Sequence, residues 1–479
     1  SRRASRKGRS PEAVGTSTDE ARPYRTRAGR AVILGASSST DAARRRDARM
    51  RASDAEHRRR PTRRQGTPRA SGAPLENDAP ASGSRWLPLV AILIAATAVV
   101  LMAYACTSSA GRTADQEAEP AAAHPENDPD RVTFVAVGDN LPEVAISEQA
   151  DAAAGEAGDG LYDFRPLFAP IRPYVAQADL AYMNQETHLG GDDIGPQGYP
   201  SFNVPDAMAD AVVDAGFDFV ASASNHSYDW GLYGALDHSC DVWSKQPVAF
   251  TGTARSQEEA DTLAIVERDG IRFALLDYTY GLNGFERSDV PPYAVNFIDE
   301  DRIRTDVARA QEQADVVMVA MHWGTENQTE PDEDQLKYAQ LLADLDVDVI
   351  LGSHPHVIGP LTWIANSNGS GHRTLCAYSL GNFTSHHDAP HMINDLGGML
   401  TCDFVKADDG SIGIENVSWT PLVMHEQEGA FAVYALKDYT PALASTHNVL
   451  SEEDDPIGWM KQTSADVVNS LGDDFPIDA

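Results

Sequence analysis

Apolar runs that stop on a carboxylate, an amide or an imidazole recur between residues 131 and 356, and this recurrence limits the folds open to the chain. Val132-Thr133-Phe134-Val135-Ala136-Val137 ends in Gly138-Asp139-Asn140, and the run at 180–183 ends in Asn184 and Glu186. The run at 217–224 leads to Asn225-His226, that at 316–321 to His322, and that at 347–351 to Gly352-Ser353-His354-Pro355-His356-Val357. Helix-like segments at 205–215, 231–243, 303–314 and 334–345 lie between several of them. Continuous apolar strands alternating with amphipathic helices indicate a parallel or mixed sheet covered on both faces. Ligands of such sheets gather beyond the carboxyl ends of the strands, where these polar residues cluster.

From residue 361 the pattern changes to strands alone, at 361–365, 374–380, 399–405 and 412–419. This predicts a second, more antiparallel sheet and hence a two-sheet α/β sandwich with helices outside. The folded body is expected to occupy 131–425. An acidic, weakly patterned extension, 426–479, follows it, with one helix near 459–471.

Carboxylate, amide and imidazole together suit a divalent ion such as manganese, zinc or iron. Read as extended backbone, His354 and His356 would face the same side and converge on one small volume. The sequence-derived ligands are Asp139, Glu186, Asn225, His322, His354 and His356, with Asn225 and His226 as the catalytic candidates. Taken singly, Asp139 is better read as a helix or turn cap, Asn225 as a turn residue and His226 as a hydrogen-bonding surface residue. Five strand ends bearing donors of one kind favour a metal site.

The motifs also occur in a recognisable order: Gly138-Asp139, Asn184-Gln185-Glu186, Ser224-Asn225-His226 with Asp229 and Gly231, His322-Trp323-Gly324 with Glu326, Gly352 to Val357, and Tyr378-Ser379-Leu380-Gly381-Asn382-Phe383. Over roughly 131–425 the chain resembles the CapA family of capsule or poly-γ-glutamate synthesis proteins. The resemblance implies a calcineurin-like metallophosphoesterase fold, a two-sheet α/β sandwich around a metal centre. It also implies that Glu186 bridges two ions, with Asn225, His322 and His354 completing one site and Asp139 and His356 serving the other. His226 would then be the general acid or transition-state donor. Leu141 stands where the phosphoesterases carry a further His, so one tight ion and one weak or absent ion are expected. Asp229 and Glu326 are expected to orient imidazoles, and Asn382 to orient substrate or to serve a tight turn.

Residues 1–85 hold 21 Lys or Arg against 9 Asp or Glu, a net of +12 within a chain of net −34, so the remainder carries −46. A disordered basic tail is expected there. Residues 86–106 carry no charge, and about twenty apolar residues can span a bilayer. With Arg-rich sequence before it, this span reads as an uncleaved anchor, the N-terminus cytoplasmic and the acidic part outside the cell. An acidic linker, 107–130, would separate anchor and body. The basic tail lacks interleaved aromatics, which argues against nucleic acid as a partner. Cys376 and Cys402 could form a bridge if their strands were adjacent; two buried thiols fit the sequence equally well.

Three functions follow from these features. The first is a membrane-anchored, metal-dependent hydrolase or transferase acting on an anionic cell-surface polymer or its precursor, alongside polymer-synthase subunits. The second is a non-catalytic scaffold or export component of such a complex. The third is a general phosphodiesterase or phosphatase. A net charge of −46 repels a polyanion at low salt, which opposes direct capture of one.

Overall fold

The computed structural model describes residues 130–386 and 392–479. The expected basic tail, apolar anchor and nearly all of the linker lie outside them. Among the described residues no helix is long and apolar enough to cross a membrane.

Two mixed sheets face each other. The first holds β1 (Arg131–Asn140), β2 (Leu180–Gln185), β3 (Phe219–Ala221) and β4 (Ala249–Thr251) in parallel. The second holds β5 (Ala264–Arg268), β6 (Ile271–Thr279), β7 (Val316–His322), β8 (Val349–Ser353), β9 (Leu361–Ala365) and β10 (Arg373–Ala377), in the order β5-β6-β7-β8-β10-β9. Its inner four strands are parallel, and β5 and β9 lie antiparallel at its edges. The chain then crosses back to the first sheet. Short β11 (Asn382–Thr384) pairs with β1 in parallel, and β12 (Leu396–Lys406), β13 (Ile412–Gln427) and β14 (Ala430–Ala435) extend that sheet by antiparallel pairing.

Side-chain alternation sorts each strand between two layers. Val132, Phe134 and Ala136 point into the core between the sheets, with Phe273, Met318, Leu351 and Phe404. Val135 and Val137 turn the other way, onto a layer built from Phe164, Phe168, Met208 and Val212. Phe404 sets its ring against Phe134 of its own sheet (5.9 Å between centroids) and Phe273 of the opposite one (5.0 Å). The helices α1 (Val144–Ala154) and α2 (Ala207–Ala215) cover the first sheet, with α3 (Asp237–Trp243) further along the chain. On the second sheet, Val317, Val319 and Ile350 meet α4 (Glu300–Gln311) and α5 (Glu333–Asp344) through Ile303, Val307 and Leu342. Both helices begin on an Asp that accepts from the N3 amide, Asp299 from Arg302 and Asp332 from Gln335.

The two-sheet sandwich is as expected, but the membership of its sheets is not. Strands after residue 361 do not make a separate sheet: β9 and β10 complete the second, and β12 to β14 extend the first. Apolar alternation fixes which face of a strand is buried. It does not fix the neighbour with which the strand pairs. The boundary at 425 also moves, because β13 runs through it to Gln427. Residues beyond it belong to the body: α6 (Pro456–Val468) places Met460 and Val468, with Phe475, in the inter-sheet core. The backbone at Trp419 bonds to that of Pro476 and Asp478. Cys376 and Cys402 lie on different sheets, one facing an outer layer and the other the inter-sheet core, and both are buried free thiols. Burial pushes both thiols far above their ordinary range.

Candidate metal centre

Strands of both sheets deliver polar side chains to one rim, and two glycines let them come close. A Cβ on Gly138 would sit 1.8 Å from the Gly381 carbonyl oxygen, and one on Gly352 would sit 2.0 Å from that of Tyr378. Any side chain at either position would force backbone apart. The segment 378–382 is thereby clamped against the ends of β1 and β8: Asp139 N donates to Gly381 O, and Leu380 N to Gly352 O.

His354 and His356 converge by a different device from strand alternation. β8 ends at Ser353, and the two histidines have φ of 92° and 58° on either side of Pro355. The expected extended conformation is therefore replaced by a left-handed turn. Such backbone costs on the order of 1–3 kcal/mol per residue and persists only where surrounding contacts impose it. The Asp139 carboxylate is one such contact, its Oδ2 accepting from His354 N at 3.1 Å.

Glu186, His322 and His354 form one cluster whose ligating atoms lie within 4.8 Å of one another; Asp139, Glu186 and His356 form a second. Glu186 is common to both. It is fully buried, and neither carboxylate oxygen has a hydrogen-bond partner. Burial, reinforced by Asp139 and opposed by His356, holds its carboxyl well above the usual range. His354 Nδ1 is also buried without a partner. Burial, with His356 and His226 nearby, depresses His354 to about 3 and takes His322 well below its ordinary value. Uncharged imidazoles grouped around a carboxylate that accepts no hydrogen bond are the donor set that a divalent cation requires, so these residues fit a metal ion. Asn225 Oδ1 lies 2.8 Å from His322 Nε2, and His322 Nδ1 is set by Ser353 Oγ at 2.9 Å.

The second cluster is tied internally. Asp139 Oδ1 accepts from Asn184 at 2.8 Å, and His356 Nδ1 meets Asn382 Oδ1 at 3.0 Å. Burial opposes the His356 imidazolium, but Glu186 and Asp139 outweigh it and raise His356 to about 10. Leu141 is a buried apolar residue whose amide donates to Thr384 O, so it brings no donor. Glu326, expected as an orienting partner, instead forms a third cluster with His354 and His356, its carboxylate exposed.

His226 is 5% exposed and stands apart from these clusters. Its Nδ1 meets Asp229 Oδ2 at 2.8 Å, as expected of an orienting acid, and its Nε2 lies 3.3 Å from Asn283 Nδ2. This pairing assigns the Nδ1–H tautomer and leaves Nε2 able to take a proton. Phe202 sets its ring edge-on to His226 at 4.6 Å, and Tyr280 covers His354 at 4.7 Å. Ser353 was legible as the residue preceding the His-Pro-His turn. Asn283, Tyr280 and Phe202 lie in loops with no motif to mark them.

The sequence signature of the bacterial capsule synthesis protein family, PGA_cap, matches residues 133–387, more than half of the chain. The chain belongs to the PGA_cap family. Its curated relatives include the PGA biosynthesis protein CapA of Bacillus subtilis (strain 168), 32% identical over 36% of this chain and 43% of that protein. The capsule biosynthesis protein CapA of Bacillus anthracis is 25% identical over 61% of this chain and 67% of that one. The chain thus matches less than half the length of the former and about two thirds of the latter. Among solved structures, a putative 5'-nucleotidase from Staphylococcus aureus covers 69% of this chain, and the match spans 58% of its own length, at 10% identity and a TM-score of 0.38. The NAD nucleotidase of Haemophilus influenzae covers 70%, with 60% of its own length matched, at 12% identity and a TM-score of 0.35. At these scores the likenesses carry no argument about this PGA_cap chain.

Proposed function

We propose that this PGA_cap domain is a metal-dependent hydrolase or transferase of capsule-type polymer synthesis, acting on the polymer or its precursor, with a metallophosphoesterase-like site. The observation that carries this reading is His226, buried on Asp229 within electrostatic reach of His322 and His354, whose neighbour Glu186 has no hydrogen bond to either carboxylate oxygen. Glu186, His322, His354 and Asn225 would hold a divalent ion, and Asp139 with His356 a weaker one. Bound there, such an ion polarises the bond to be broken or activates the attacking water. His226 would carry the proton at Nε2, taking it from the nucleophile or giving it to the leaving group. Asp229 would stabilise the imidazolium that results. A structural ion needs no such proton carrier, and this disfavours a pure scaffold. The self-contained Asp139–His356 cluster is what favours the scaffold reading, because that half is satisfied without metal.

The relatives' names point to poly-γ-glutamate. This chain's net −34 disfavours direct capture of that polyanion. We place the domain outside the cell, behind the apolar span 86–106 and next to polymer-synthase subunits; protease accessibility of intact cells tests that placement. The deciding experiment assays the full chain with added manganese against capsule polymer precursors, poly-γ-glutamate and a generic phosphodiester, for wild type and His226→Ala. Turnover is expected to fall by about 10²- to 10⁴-fold in the variant with metal content unchanged. No turnover of any substrate by the wild type would favour the scaffold instead.

A further inference from the structure

Among the described residues, the aromatic side chains left strongly exposed are Tyr199, Trp230, Tyr233, Tyr280 and Phe285. They fall on three loops, the ones that follow β2, β3 and β6. Tyr280 touches a histidine of the metal clusters, Tyr199 and Trp230 reach His226 through Phe202, and Phe285 lies on the loop that bonds to Asn225. Tyr280 lies over His354, and Tyr199 meets Phe202, which abuts His226. Trp230 Nε1 donates to Phe202 O at 3.0 Å. Phe285 packs on Tyr228 at 5.1 Å, and the same loop bonds Asn283 N to Asn225 O at 2.9 Å. Exposed aromatic surface gathered around a reacting centre is costly to leave in water and signals a ligand.

The charge of these loops narrows the ligand. Segments 186–204, 222–236, 322–332, 353–360 and 378–386 contain no Lys or Arg. Segment 280–298 contains Arg287 alone, and its guanidinium is committed to the Phe297 ring at 4.6 Å and to Ile298 O at 2.7 Å. Apart from Arg287, a polycarboxylate or polyphosphate chain would find no Lys or Arg on these segments to pair with. Aromatic faces carry negative charge density that attracts polarised C–H bonds, and carboxylates such as that of Glu326 accept hydrogen bonds from hydroxyls. Faces of C–H groups edged with hydroxyls are the surface of a pyranose ring.

We propose that the aromatic rim binds saccharide, so that the substrate offered to the centre is a glycan or a glycosylated precursor and not a polyanion. Tyr280, Trp230, Tyr199 and Phe285 supply stacking platforms, and Glu326 and Asn283 supply hydroxyl partners. The assignment rests on the proposed hydrolase or transferase reading for its chemistry, but binding can be measured without it. The test titrates the full chain, with and without EDTA, with the β-1,4-linked N-acetylglucosamine tetramer, maltotetraose, poly-γ-glutamate and phosphatidylglycerol vesicles, reading Trp fluorescence and calorimetric heat. At least one oligosaccharide should bind, and Tyr199→Ala/Phe285→Ala should weaken it tenfold or more with bound metal unchanged. Saccharide binding without turnover would sink the enzymatic reading and leave this one standing. Binding of poly-γ-glutamate or vesicles but of neither oligosaccharide, binding of none of the four, or equal binding by the variant would overturn it.

Discussion

The two halves of the centre share Glu186 and little else. On the His322–His354 side the imidazoles are held uncharged and the carboxylate oxygens have no hydrogen-bond partner. On the Asp139–His356 side the same kinds of residue are satisfied by Asn184, Asn382 and one another, and His356 keeps a proton to about pH 10. One half lacks a positive charge, while the other supplies its own on an imidazole. Identical ligand types can thus be a set of donors without hydrogen bonds or a closed ion-pair network, depending on their neighbours. The uneven occupancy expected from Leu141 has a second cause here, which is competition by the His356 proton.

The largest effect should come from the open half. His354→Ala or Glu186→Gln should lower tightly bound metal in the purified chain to background, a loss of about 100-fold or more in affinity, read by elemental analysis. Retention of a full equivalent in either variant would erase the distinction between the halves. His356→Ala should cost far less, about tenfold or below, and Asn382→Ala less again. A loss equal to that of His354→Ala would show both halves to be one site. For the wild type, two equivalents at high occupancy near neutral pH would contradict the closed network.

An effect on stability alone, with none on metal content, concerns the support beneath Asn225. Asp277 on β6 accepts from Ser222 N and Ala223 N, each at 2.7 Å, and burial raises its carboxyl to about 7 against those bonds. Because the folded value exceeds the unfolded one, its contribution is full below about pH 4 and is lost as pH rises through about 7, with a ceiling on the order of 4 kcal/mol. Asp277→Asn should therefore flatten the decline in denaturation midpoint between pH 5 and pH 8. Parallel curves for variant and wild type would show that the backbone bonds hold the carboxylate ionised.

Much of the centre was legible because donors stood at the ends of apolar runs, and β1, β2, β7 and β8 follow those runs closely. The sandwich was legible too, since alternating burial demands two covered faces. What was not legible depended on long-range pairing. Whether β12 joins β1 or β10 is decided by contacts hundreds of residues apart, and the turn at His354-Pro355-His356 by a carboxylate on a different sheet. Asn283 and Tyr280 reach the site from an irregular loop, where no periodicity points anywhere.

Apart from Asn382, whose side chain meets His356, the crossing segment Tyr378 to Phe383 is separable from the chemistry beside it. It binds the ends of β1 and β8 through backbone atoms and through contacts that tolerate no side chain at Gly138 or Gly352. Whatever is substituted at the histidines, the two strand ends can stay joined only while Gly138 and Gly352 remain without a side chain.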